Sequence, residues 1–160
     1  MLYKIQIGIL LIVFTVFASC KGELKMVLTD TVSNKINHLA QQYKHIIVVG
    51  IDATECTGCA IQNISQWTGK QVQTLKKYNV GLLFFVYHAS DHTVKELFET
   101  LKDFNCVFDA IGKFKSANSK VFNSVKDNIF VIDRDKNVIF TESPIKDEKT
   151  WKRFIKRVKK

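Results

Sequence analysis

HIIVVGIDATECTGC, residues 45–59, is the stretch whose reading decides the fold. His45 to Ile51 is a continuous run rich in β-branched residues and of strand length, and such runs belong to strands covered on both faces. The run stops at Asp52-Ala53, and Cys56-Thr57-Gly58-Cys59 follows at once. From Thr57 to about Tyr78 the apolar residues Ala60, Ile64, Trp67, Val72 and Leu75 keep helical spacing, with Gly69 as a kink or break. The cysteine pair is therefore predicted at a strand-to-helix junction. A cysteine at the amino end of a helix faces unsatisfied backbone N–H groups and the positive end of the dipole, which favour thiolate over thiol. Cys56 is predicted to be the attacking sulfur. Cys59, one turn on, would resolve the mixed disulfide that Cys56 forms.

Working outward, Val80 to Tyr87 (VGLLFFVY) reads as a second buried strand. Ser90, Asp91 and Thr93 offer caps for a helix carrying Val94, Leu97, Phe98 and Leu101, and Thr93 with Glu96 has capping-box spacing. Phe104 to Asp109 suggests a short strand, and Ile111 to Phe122 an irregular or helical connector. Ile129–Ile132 and Val138–Phe140 form a hairpin across Asp133–Asn137. Asp147 and Glu148 open a last helix whose stripe is Trp151, Phe154, Ile155 and Val158. The order predicts an α/β fold with a central mixed sheet of four to five strands flanked by helices. His88 ends a predicted parallel strand, at the edge where such sheets gather functional groups, so it is a candidate to acidify a thiolate or move a proton. Cys106 reads as a small core residue, and Trp67 and Trp151 as core.

Residues 1–19 stand apart. Lys4 precedes the uncharged run Ile5 to Phe17, and Ala18-Ser19 closes it before Cys20, the pattern of a secretory signal. The run is short for a spanning helix, which needs roughly 20 apolar residues; an uncleaved anchor is the competing reading. Residues 20–44 read as a tether leading to a short amphipathic helix with Val32, Ile36, Leu39 and Tyr43, and residues 45–160 as the domain. The chain of 160 residues carries a formal +9, with seven cations crowded between Lys149 and Lys160. An exported, tethered domain meets little nucleic acid, and no aromatic-interleaved basic stripe is present, so nucleic acid is not expected as a partner. Cations at a helix carboxyl end suit its dipole; contact with anionic lipid is the alternative.

Phe17-Ala18-Ser19-Cys20 resembles a bacterial lipobox, which implies lipidation of Cys20 and a location in the cell envelope. Asp52–Cys59, the segment Phe130-Val131-Ile132-Asp133 with Val138-Ile139, and Phe108-Asp109 with Asn118 resemble the membrane-anchored thioredoxin-like proteins of the TlpA and ResA type. The ending through Glu142-Ser143-Pro144-Ile145 is similar to TlpA-like lipoproteins of Bacteroidetes. The resemblance spans about residues 45–158 and implies a thioredoxin-like fold. It further implies a thiol-disulfide oxidoreductase acting on protein thiols or disulfides of the envelope with a separate redox partner, and it asks for no cofactor or metal.

Two positions depart from that pattern. The cis-proline that thioredoxins hold opposite the cysteine pair falls at Asp127 or beside it, and the only proline is Pro144. The buried acid six residues before the first cysteine is Gly50, leaving Glu55 as a candidate acid near the thiol. Against redox chemistry stand an inert structural disulfide in a binding or scaffold module, half of a zinc site, and copper delivery through His88 or His92. Peroxidase chemistry would want Thr or Ser three residues before Cys56, where Ala53 stands.

Overall fold

The computed structural model describes residues 24–54, 57–67, 70–125 and 127–160. The signal-like segment, Cys20, Glu55 and Cys56 lie outside the described residues. The elements are α1 (Asp30–Gln42), β1 (His45–Asp52), α2 (Thr57–Ser65), α3 (Lys70–Lys77), β2 (Val80–Tyr87), α4 (Asp91–Leu101) and β3 (Asn105–Asp109). They continue with α5 (Lys113–Ala117), α6 (Ser119–Ser124), β4 (Ile129–Asp133), β5 (Val138–Phe140) and α7 (Glu148–Val158). One five-stranded mixed sheet runs in the order β3-β2-β1-β4-β5. β1 pairs in parallel with β2, and β2 with β3; β4 is antiparallel to β1 and to β5.

Strand alternation builds two cores from one sheet. Ile47, Val49, Ile51, Phe84, Val86 and Val131 point to the face covered by α2, α3, α4 and α7. Ile46, Val48, Leu83, Phe85, Phe130 and Ile132 point to the face covered by α1, α5 and α6. β2 is buried throughout its length, as its unbroken apolar run requires. Each such side chain contributes about 1.5–3 kcal/mol by leaving water.

Two of the expected caps form: Ser90 Oγ accepts from Thr93 N at 3.2 Å, and Asp147 Oδ1 from Thr150 N at 2.7 Å, whereas the Thr93–Glu96 box does not, because Ser90 starts the helix and leaves Thr93 inside its first turn. The stretch 57–78 forms two helices, α2 and α3, with the join about Gly69 outside the described residues. Before α1, residues 24–28 lie along the domain. Val138 N donates to Leu24 O, Met26 N to Lys136 O, and buried Asn118 makes a two-way amide contact with Val27.

Because β1, β2 and β3 are parallel, their carboxyl ends share one edge of the sheet, here termed the upper edge. Their amino ends share the lower one. Helices that follow β1 and β2 begin at the upper edge and end at the lower.

Candidate functional site

β1 ends at the upper edge on Asp52, a turn follows, and α2 begins at Thr57. Cys59, in the first turn of α2, is exposed. The chain thus places the second cysteine at the strand-to-helix junction expected of it, while Cys56 falls outside the described residues.

Asp52 is the organising acid of this edge. Its Oδ1 accepts from Thr54 N at 3.1 Å and Thr54 Oγ1 at 2.8 Å, and His88 Nδ1 lies 3.4 Å away. Lys115 Nζ lies 3.4 Å from Oδ2 and 4.1 Å above the ring of buried Tyr87. Burial works to raise the pKa of the Asp52 carboxyl, but the Thr54 and His88 hydrogen bonds and Lys115 outweigh it. The group sits below the ordinary carboxylate range. Burial likewise works against the Lys115 ammonium, and Tyr87 with Asp52 overcomes it, holding that pKa up.

His88 stands where the sequence puts it, just past β2, in a left-handed conformation with φ 59°. Its N–H donates to Asp109 O, which also accepts from Gly112 N, and buried Asp109 Oδ2 accepts from Phe114 N at 2.8 Å. Gly112, at φ 65°, passes beside the imidazole so closely that a Cβ there would come 2.6 Å from Nε2. The ring is thereby set against Asp52, with two-fifths of its side chain still exposed.

Asp52 and Lys115 were not singled out by sequence reasoning. Asp-x-Thr spacing after a buried strand, four residues before Cys56, was the available signal for Asp52. Lys115 carried none.

A cleft of about 410 Å³ adjoins the site, lined by Asp52, Ala60, Asn63, Trp67, Asp127 and Asn128 among others. Asp127 and Asn128 both adopt positive φ, and no cis peptide bond occurs among the described residues. Asn128 O accepts from Gly50 N at 2.8 Å. A Cβ on Gly50 would meet that same oxygen and the Phe122 ring at 3.1 Å, so the place where an acid would stand is crowded.

Cys106 lies away from this site, half-buried on β3 in a shallow groove with Lys35 and His38. Burial pushes its thiol pKa up, against the pull of Lys35. Trp67 is core, and Trp151 packs on Phe154.

This architecture is the thioredoxin-like α/β fold. Among solved structures, the chain is similar to the thioredoxin domain of a thiol-disulfide oxidoreductase from Bacteroides vulgatus: TM-score 0.51, 13% identity, covering 76% of this chain and 83% of that one. It is also similar to a thioredoxin-like protein from Bacteroides caccae, with TM-score 0.50 and 11% identity, covering 74% of this chain and 42% of the other, longer one. A third likeness is to the C-terminal domain of an uncharacterized Bacteroides fragilis protein, with TM-score 0.50 and 8% identity, covering 71% and 79%. No family model and no curated protein sequence matches the chain.

Proposed function

We propose that this protein is a thiol-disulfide oxidoreductase of the bacterial cell envelope, of the TlpA and ResA type, tethered through a lipidated Cys20. The observation that carries the reading is exposed Cys59 in the first turn of α2, directly beyond β1 of a thioredoxin-like sheet. In the reductive direction the Cys56 thiolate attacks one sulfur of a substrate disulfide and expels the other as thiolate. Cys59 then attacks Cys56 Sγ and releases the second substrate thiolate. Two electrons pass to the substrate, and a Cys56–Cys59 disulfide remains for an envelope thiol partner to reduce.

Asp52 sits four residues before Cys56, and an unpaired carboxylate nearby would oppose thiolate formation. Lys115 offsets that charge, with His88 placed beside it, so the acid orders the edge while paired to a cation. Asp127 and Asn128, in place of a proline, line the cleft beside the junction and give the substrate a docking rim.

The test is reduction of insulin by the full chain and its Cys56→Ser and Cys59→Ala variants. Wild type should turn over, Cys56→Ser should fall to background, and Cys59→Ala should accumulate reductant-sensitive mixed disulfides. A wild-type rate no higher than that of Cys56→Ser, or a reduction potential well below about −300 mV, would assign the pair to a structural bridge in a binding module.

A further inference from the structure

The lower edge carries a concentration of positive charge that the redox reading does not use. α3 ends there on Lys76 and Lys77, and α7 ends there with Lys156, Arg157, Lys159 and Lys160. The end of α1 adds Lys44, the end of α4 adds Lys102, and the β4–β5 turn adds Arg134 and Lys136. Side chains and backbone join these elements into one surface. Lys159 Nζ lies 5.3 Å from the ring centroid of Tyr78, Arg134 Nε donates to Tyr43 O, and Lys44 N donates to Asn79 O.

Few acids answer them. Glu99 pairs with Lys102 at 2.9 Å, and the Asp133 carboxylate is occupied by Asp135 N, Asn137 N and Asn137 Nδ2. Among the described residues, Asp103 and Asp135 are the other acids on this edge. Helix dipoles account for cations at the ends of α3 and α7, but not for Lys44, Arg134, Lys136 or Lys25, which lie outside helices. At the upper edge, by contrast, Asp52, Asp127 and Asp147 alternate with Lys113, Lys115 and Lys146.

The chain enters the domain at this same lower edge. Leu24 O accepts from Val138 N beside the β4–β5 turn, and Lys25 bridges to Asn137. Cys20 is four residues earlier, a span of at most about 14 Å. We propose that the lower edge is a docking surface for an anionic phospholipid bilayer, so that the domain stands on its lysines with the cysteine edge turned away from the membrane. A lipid anchor and a polybasic surface are the two signals that together hold a chain on a membrane. The proposal rests on the tether at Cys20 and is independent of redox activity.

The experiment reconstitutes the full chain on vesicles of phosphatidylcholine, with and without phosphatidylglycerol, and follows labelling of each lysine by a water-soluble amine reagent. Phosphatidylglycerol should slow Lys76, Lys77, Lys136 and Lys159 severalfold and leave Lys113 and Lys146 unchanged. Raised salt should restore the rates. The quadruple variant Lys76→Glu, Lys77→Glu, Arg157→Glu, Lys159→Glu should abolish the protection, while reversal of Lys95, Lys113, Lys120 and Lys149 should preserve it. Uniform labelling, protection of the upper edge, or equal protection by soluble polyglutamate on phosphatidylcholine alone would overturn the proposal, the last in favour of an acidic protein. Flotation separates the two premises. Failure to float with phosphatidylcholine alone defeats the tether, whereas flotation only with phosphatidylglycerol still registers the basic surface.

Discussion

At the upper edge Asp52 shares its charge with Thr54, His88 and Lys115, whereas at the lower edge Lys76, Lys77, Arg157 and Lys159 face solvent with few carboxylates among them. The contrast has a topological root. Parallel strands joined by helices send helix amino ends, with first-turn acids such as Asp91, to one edge and helix carboxyl ends, with cations such as Lys76 and Lys77, to the other. Charge therefore separates along the strands before any partner is considered. The upper edge then departs from this default by drawing Lys115 in beside Asp52, which pairs the acid at the strand-to-helix junction with a cation.

Two glycines test how tightly each edge is built. A Cβ at Gly81, near the lower edge, would lie 2.6 Å from Cδ2 of the Tyr43 ring, where the ring cannot simply swing its tip aside. Gly81→Ala should cost about 1–3 kcal/mol, as overpacking does. At Gly50 the nearest atoms stand at 3.1 Å, and Gly50→Ala should cost less. Chemical denaturation of both variants checks the order; a reversed order would mean that the upper edge is the stiffer one.

Acid should weaken the two edges in separate windows. Asp52 has a depressed pKa, so its contribution is present above the ordinary carboxylate range and lost as pH falls through the lower folded value. Wild type should exceed Asp52→Asn in stability at pH 7, and the two should converge well below pH about 4. At the other end of the same strand, buried His45 is held below its ordinary value by burial first, then by Lys44 and Arg134, against the opposite pull of Asp133. The folded state thus disfavours its protonation, and the unfolded chain binds more protons just below pH about 6.5. Stability should therefore fall as pH drops through that range. His45→Gln should flatten this smaller slope while leaving the steeper loss below pH about 4 in place, as thermal melts across pH would show.

Much of the fold was legible because its signals are local. Val80 to Tyr87 announced a strand buried on both faces by composition alone, and Ser90 and Asp147 announced helix starts by side-chain chemistry. Gly69, outside the described residues, falls in the interval between Ser65 and Lys70 that separates α2 from α3, where a weak helix former was the available signal. The site was legible only in part. Cys59 and His88 stood out as residue types beyond the carboxyl ends of strands, but Asn128 gave no sign beyond the missing proline that it would pack on Gly50. Cys106, expected as core, is half-buried because β3 is an edge strand with one neighbour only.

Sequence by itself determined the strands, the longer helices, the caps at Ser90 and Asp147 and the junction that holds Cys59, since periodicity and propensity act over a few residues. Tertiary structure alone decided what meets across distance. His88 reaches Asp52 over 36 residues and Lys115 reaches it over 63, while Asn118 fastens Val27 over 91. Those contacts depend on strand order and on which face each connection crosses, quantities set by packing of the whole sheet. The lower edge makes the same point: its cations are scattered through the sequence, and only the order and directions of the strands gather them.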